Sequence, residues 1–213
     1  LNFYNLKKNN IIFSQNFIFV KIKEWDEFIK NYKKKNYSDI DYTWNFKQAY
    51  FENNLITWKT NMKKGGGILL FYMPHTIFSL LNLNHKLTLS KAKILKKTSK
   101  ILTKLEIEMK SLNKKIKINI NTNSETKTHS IFTKKNNNFL IIQNNSSDWT
   151  KGFRFIYKNK IKSVSKESRI QLTVKNIEEL MNYKINSKKY KVFLKNTKRT
   201  YQLLNLISKK IYE

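Results

Sequence analysis

Apolar and polar positions along the chain follow two periods, and the switches between them mark the elements. Residues 11–22, IIFSQNFIFVKI, are dense in β-branched and aromatic side chains and predict a strand. Residues 24–35 set Trp25, Phe28, Ile29 and Tyr32 at helical spacing and predict a short helix. The segment YSDIDYTWNF, residues 37–46, is aromatic and mildly acidic, which favours core or protein contact over base stacking. Residues 89–113 place Ile94, Leu95, Ile101, Leu102, Leu105, Met109 and Leu112 on one helical face, with lysines opposite and Ser90 as a cap. This predicts a long basic helix.

The next stretch alternates. KIKINI, residues 115–120, predicts a strand, and residues 129–145 predict a hairpin that turns at Lys-Lys-Asn-Asn-Asn. Trp149 opens a third short segment, DWTKGFRFIYK. A helix is expected from about Ser168 to Tyr183, with Ile170, Val174, Ile177 and Leu180 on one face. KKYKVFLK alternates and reads as a strand, and a last helix is expected from Thr200 to Tyr212. Between these two, Lys195-Asn196-Thr197-Lys198-Arg199 reads as a cationic turn. From residue 129 the order is β-β-β-α-β-α, an α/β domain with a mixed β-sheet covered by helices. Residues 1–128 form an N-terminal α+β extension, with the boundary near 120–128.

Residues 65–85 carry no formal charge. Their length matches the ~20 residues of a membrane span, but Pro74, His75, Thr76 and several asparagines interrupt it. The pattern favours a buried strand–turn–helix element. Gly65, Gly66 and Gly67 lack the following Lys-Ser or Lys-Thr of a phosphate loop.

Charge changes the picture. The formal net charge is +29, from 43 basic and 14 acidic residues, and such an excess calls for a polyanionic partner. Usage is also skewed, with 40 Lys, 28 Asn and 25 Ile against 4 Gly and 1 Pro. Lys, Asn and Ile are written with A/T-rich codons, so an A/T-rich organelle genome is expected, and with it a mitochondrial location. There is no Cys, so disulfides and thiolate chemistry are excluded. His75, His85 and His129 show no metal-ligand spacing. No nucleophile elbow and no paired carboxylates appear, so the residues predict neither an enzyme nor a cofactor.

The order of residues 129–213 resembles the universal small-subunit ribosomal protein eleven family. The quoted features are HSIFT, NNN and FLIIQ; Trp149; Gly152-Phe153-Arg154; Lys162-Ser163 or Lys166 to Ser168; YKVFLK; and Asn196-Thr197-Lys198 closing on Arg199. The glycines of that family's last loop and its basic tail are absent. The resemblance implies a constituent of the mitochondrial small ribosomal subunit. It would bind platform rRNA beside neighbouring small-subunit proteins, near the path of exiting mRNA, with no small-molecule substrate and no membrane. With the cationic loops it nominates Lys134, Lys135, Asn136, Asn137, Lys151, Arg154, Lys162, Lys166, Lys195, Lys198 and Arg199 as RNA contacts. Two alternatives stay open: another mitochondrial ribosomal protein, or an accessory subunit of a respiratory membrane complex anchored by residues 65–85.

Overall fold

The computed structural model describes residues 15–53, 55, 57–61, 64–83, 86–98, 101–136, 138–144, 149–182 and 187–212. Among these residues, eight strands form one sheet in the order β2-β3-β4-β1-β5-β6-β7-β8. Their ranges are β1 Ile40–Lys47, β2 Thr88–Thr98, β3 Ile101–Ser111, β4 Lys114–Asn121, β5 Asn123–Lys135, β6 Asn138–Asn144, β7 Arg154–Tyr157 and β8 Lys160–Val164. The helices are α1 Lys23–Lys35, α2 Ala49–Asn53, α3 Met73–Asn82, α4 Arg169–Met181 and α5 Lys188–Tyr212. The chain is therefore α/β, as the patterning predicts, but its sheet is larger and mostly antiparallel.

β1 occupies the centre. It pairs in parallel with β4, Tyr42 opposite Ile118, and antiparallel with β5, Tyr42 opposite Ile131. Its inward side chains Ile40, Tyr42, Trp44 and Phe46 are all buried. The same face of β3 and β4 contributes Leu105, Ile107, Met109, Ile116, Ile118 and Ile120. Helices cover this face: α1 packs over β6 and β7, and α3 with α5 lies over the β2 side. On the opposite face of the sheet, Glu106 pairs with Lys117 at 3.3 Å and Glu108 with Lys115 at 3.2 Å. Such exposed cross-strand pairs each contribute at most about 1 kcal/mol.

The uncharged stretch is an internal helix. Pro74 sits in the first turn of α3, where its missing N–H costs nothing. Met73, Ile77, Phe78, Leu80 and Leu81 are buried between sheet and α5. The expected strand is instead a π-helical turn, Ile68–Tyr72. Among the described residues no helix is long and apolar enough to cross a membrane. Residues 11–14 of the expected first strand lie outside the described residues. Ile18–Lys21 form a 3₁₀ turn, with Phe19 and Ile22 buried.

Two further expected elements change type. Within residues 89–113 the described residues form strands β2 and β3, not a helix. Their leucines and lysines favour helices, but their isoleucines favour strands, Leu105, Ile107 and Met109 alternate, and burial against α5 and β4 decides for strand. Register shifts at Leu89/Lys91 and Ile94/Lys96 break the alternation in β2 and hide it in the sequence. Residues 188–195 are helical, the first two turns of α5, not a strand. Tyr190, Thr197, Thr200, Leu204 and Ile207 form its buried stripe. The Thr197 and Thr200 hydroxyls donate to the carbonyls of Phe193 and Asn196, each at 2.9 Å, so neither interrupts the helix. α4 begins as expected: Ser168 and Gln171 form a reciprocal capping box.

Arg199 therefore stands in mid-helix, not at a turn. Its guanidinium donates to the Leu87 carbonyl at 2.9 Å and ties α5 to the chain entering β2. We expect Arg199→Ala to lower unfolding stability by about 1.5–3 kcal/mol, the usual value of a hydrogen bond to a charged group. Lys198→Ala, on the exposed side, should change it by less than about 0.5 kcal/mol. Urea midpoints of the two variants check this; equal midpoints would deny Arg199 its anchoring role.

Candidate functional site

Parallel pairing puts the ends of β1 and β4 together, and β5 starts beside them. There, at the Phe46 end of the sheet, a cavity of about 470 Å³ opens. Its walls are aromatic. Trp44 meets Trp149 edge-on at 5.7 Å, Phe46 meets Trp149 at 5.1 Å and Tyr72 at 4.8 Å, and Tyr72 lies parallel to Trp149 at 6.4 Å. Trp149 and Trp58 remain 40% and 49% exposed, so two of the chain's four tryptophans stand open at the mouth. Lys47, Lys59 and Lys127 surround it, with Asn144 at the end of β6. Lys47 bonds Glu125 at 2.8 Å, Lys127 approaches Glu52 at 3.9 Å, and Lys59 lies over the Phe71 ring at 5.3 Å. Flat rings between cations suit a ring-bearing anion.

The floor holds His129. Its ring stacks on Trp44 at 4.5 Å, and Nε2 shares a hydrogen bond of 2.5 Å with the Tyr42 hydroxyl. Burial, aided by His75, pushes the His129 pKa down to about 3, and burial pushes His75 down to about 4. Both imidazoles are neutral at pH 7 and unsuited to proton transfer there. Burial pushes the Tyr42 and Tyr72 phenols up, so both keep their protons. Among the described residues no group of three or more His, Cys, Asp or Glu could hold a metal ion.

The residues nominated from sequence do not gather in one place. Lys134, Lys135 and Asn136 lie at the β5–β6 turn, at the other end of the sheet from the cavity. Asn137 lies outside the described residues. Lys151 precedes β7 in a turn, and Arg154 begins β7, exposed. Gly152-Phe153-Arg154 is a structural clamp. The Gly152 N–H donates to the Ser165 carbonyl, Phe153 N–H to Ser165 Oγ, and Ser165 Oγ to the Thr150 carbonyl, at 2.8–2.9 Å. Lys162 is exposed on the edge strand β8. Lys166 lines a groove of about 990 Å³ whose charges pair internally, as Lys189 with Glu179 at 3.3 Å and Lys175 with Glu167. Lys195, Lys198 and Arg199 lie along α5. Sequence reasoning missed the cavity. Its one legible signal was the aromatic run at 37–46, which supplies Trp44 and Phe46.

No family model matches the sequence, and no curated protein matches it. Solved structures do. KijD10, a 3-ketoreductase from Actinomadura kijaniata in complex with NADP and TDP-benzene, superposes with a TM-score of 0.74 at 8% identity. The match covers 98% of this chain and 65% of that one. A dehydrogenase (MviM) from Clostridium difficile gives 0.63 at 14% identity over 97% and 64%. A putative NADPH-dependent oxidoreductase from Desulfitobacterium hafniense gives 0.69 at 14% over 96% and 65%. The chain thus spans just under two thirds of the length of these proteins. At such identity the likeness establishes the fold alone, one shared with these solved oxidoreductases.

This finding overturns the ribosomal reading. The resemblance rested on element order after residue 129, and that order fails where YKVFLK and the loop closing on Arg199 prove to be one helix. The expected roles as a small-subunit constituent, rRNA binder or neighbour of the mRNA exit are withdrawn with it. So are the alternatives of another ribosomal protein or a respiratory-complex subunit. The expectations of a non-enzyme and of no small-molecule substrate also fall, because the fold is shared with enzymes, one of them holding NADP and TDP-benzene.

The two neutral histidines have a measurable consequence. In the unfolded chain His titrates near 6.5, so that state binds more protons than the folded one between about pH 6.5 and the depressed folded values. Stability is full above about pH 6.5 and falls as the pH drops toward 4. His75 Nδ1 is buried without a hydrogen-bond partner. We expect His75→Phe to retain stability at pH 7 and to lessen the acid loss, measured by urea unfolding at pH 7.5, 6 and 5. An unchanged pH profile would contradict the neutral-histidine account.

Proposed function

We propose that this chain is the substrate-holding part of an oxidoreductase of this fold, and that the aromatic cavity takes a ring-bearing anionic ligand of the nucleotide-sugar class. What carries the reading is the cavity itself: Trp58 and Trp149 exposed at its mouth, with Lys47, Lys59 and Lys127 around it. Its volume lies within the ~300–1,000 Å³ of small-molecule sites. KijD10, of the same fold, holds TDP-benzene, a ligand with these features.

The residues present do not fit a dinucleotide. A pyrophosphate cradle needs a strand, a glycine turn open to the ligand and a helix N-terminus. Here a 3₁₀ turn, Trp58–Thr60, and not a strand precedes the glycines, and the middle one is filled by its own chain. A Cβ on Gly66 would meet the Trp58 carbonyl oxygen at 2.3 Å and Lys59 backbone at 2.5 Å. Among the described strands the only parallel pair is β1 with β4, too little for a doubly wound sheet. We therefore derive no hydride step, and the site's work in this reading is to bind and orient the substrate ring.

Thymidine diphosphate should quench tryptophan fluorescence saturably. Trp149→Ala should weaken that binding roughly 5- to 150-fold, the equivalent of ~1–3 kcal/mol of ring stacking. NADP should bind far more weakly than thymidine diphosphate at the same salt. An absence of saturable quenching, or an unchanged affinity in folded Trp149→Ala, would overturn the reading.

A further inference from the structure

The opposite end of the sheet collects charge that nothing in the cavity reading uses. The C-terminus of α1, the β3–β4 and β5–β6 turns and the β7–β8 turn all reach it, because β1, β4 and β6 begin there while β3, β5 and β7 end there. The cations converge on Lys35 and Asn36. Lys35 Nζ lies 2.5 Å from the Tyr157 hydroxyl and 4.7 Å from its ring centroid. Lys158 Nζ lies 5.7 Å from the same ring. Lys135 Nζ donates to the Lys35 carbonyl at 2.8 Å, and Lys114 Nζ to Asn36 Oδ1 at 2.9 Å.

Ordinary causes account for part of this. Lysines at a helix C-terminus suit its dipole, and Lys114 rests on the Tyr32 ring at 4.9 Å. They do not supply counter-charge. The nearby carboxylate of Asp39 is engaged by the Lys115 backbone N–H at 2.8 Å. Two groups register this setting. Lys114 is held below its ordinary range by burial and by Lys135, with Asp39 opposing. The Lys35 hydrogen bond is the largest cause holding the exposed Tyr157 phenol down.

We propose that this end of the sheet is a binding site for a soluble oligophosphate, held by Lys35, Lys114, Lys135 and Lys158 beside the Tyr157 ring. Several ammonium groups around one point match several vicinal phosphoryl charges better than a single one. β1 separates this site from the aromatic cavity by roughly 25 Å, at about 3.3 Å per strand residue. The proposal therefore stands apart from the cavity reading. Lys135, first nominated as an RNA contact, finds a setting here without RNA.

Calorimetric titration with inorganic tripolyphosphate at about 0.15 M salt tests it. The variant K114Q/K135Q/K158Q should bind at least ~10-fold more weakly than the wild type. The charge-matched variant K91Q/K93Q/K96Q, along β2, should bind like the wild type. Tripolyphosphate should bind more tightly than orthophosphate and raise the titration midpoint of one tyrosine ring signal, absent in Tyr157→Phe. The cavity tryptophans should not respond, which separates this site from the other. Equal weakening in both triple variants, equal affinity for the two phosphates, or an unmoved Tyr157 signal would overturn the proposal. Should K114Q/K135Q/K158Q lose its fold, Lys158→Glu in the β7–β8 turn gives the same comparison.

Discussion

β1 holds the molecule together. It is the one strand that joins β2-β3-β4 to β5-β6-β7-β8, by a parallel ladder on one side and an antiparallel ladder on the other. Its four inward side chains, Ile40, Tyr42, Trp44 and Phe46, run the length of the buried face. Strand pairing of this kind is specified by which face is apolar, because a one-residue slip would turn all four outward. The register of β1 therefore fixes both ends of the sheet at once. One end receives Trp44, Phe46 and the cavity; the other receives the C-terminus of α1 and its lysines.

The core built on β1 is unusually aromatic and keeps two imidazoles neutral. Phe19 meets His129 edge-on at 4.8 Å, and Trp44 covers its other side. Such rings bury large apolar areas and add roughly 0.5–1.5 kcal/mol per well-placed pair. The price is acid sensitivity, because burial disfavours a charged imidazole in that setting. The +29 charge is left at the surface, where strand turns and helix ends gather it into patches.

The parts legible in sequence were those where one period held without interruption. Helix α1, strand β4, the β5–β6 hairpin and the capped start of α4 all appear where the patterning places them. The failures have local physical causes. β2 carries register shifts that scramble its alternation, so lysine and leucine content suggested a helix. α5 opens with Tyr190, Val192 and Leu194 in apparent alternation, while its true stripe runs through Thr197 and Thr200, whose hydroxyls are satisfied inside the helix. The cavity was illegible because Trp44, Tyr72 and Trp149 are far apart in sequence and meet only once β1 is central. Arg199 shows the same limit: its charge suggested a phosphate, and its partner is the backbone of Leu87, 112 positions away.

The central claim is that the cavity at the Phe46 end of β1 is where this protein holds its ligand. Indole N–H resonances report on it directly, because Trp44, Trp58 and Trp149 line the cavity while Trp25 lies buried outside it. On titration with thymidine diphosphate, the account predicts saturable shifts of the Trp58 and Trp149 signals and a stationary Trp25 signal. Shifts confined to Trp25, or four unmoved signals at saturating nucleotide, would contradict it.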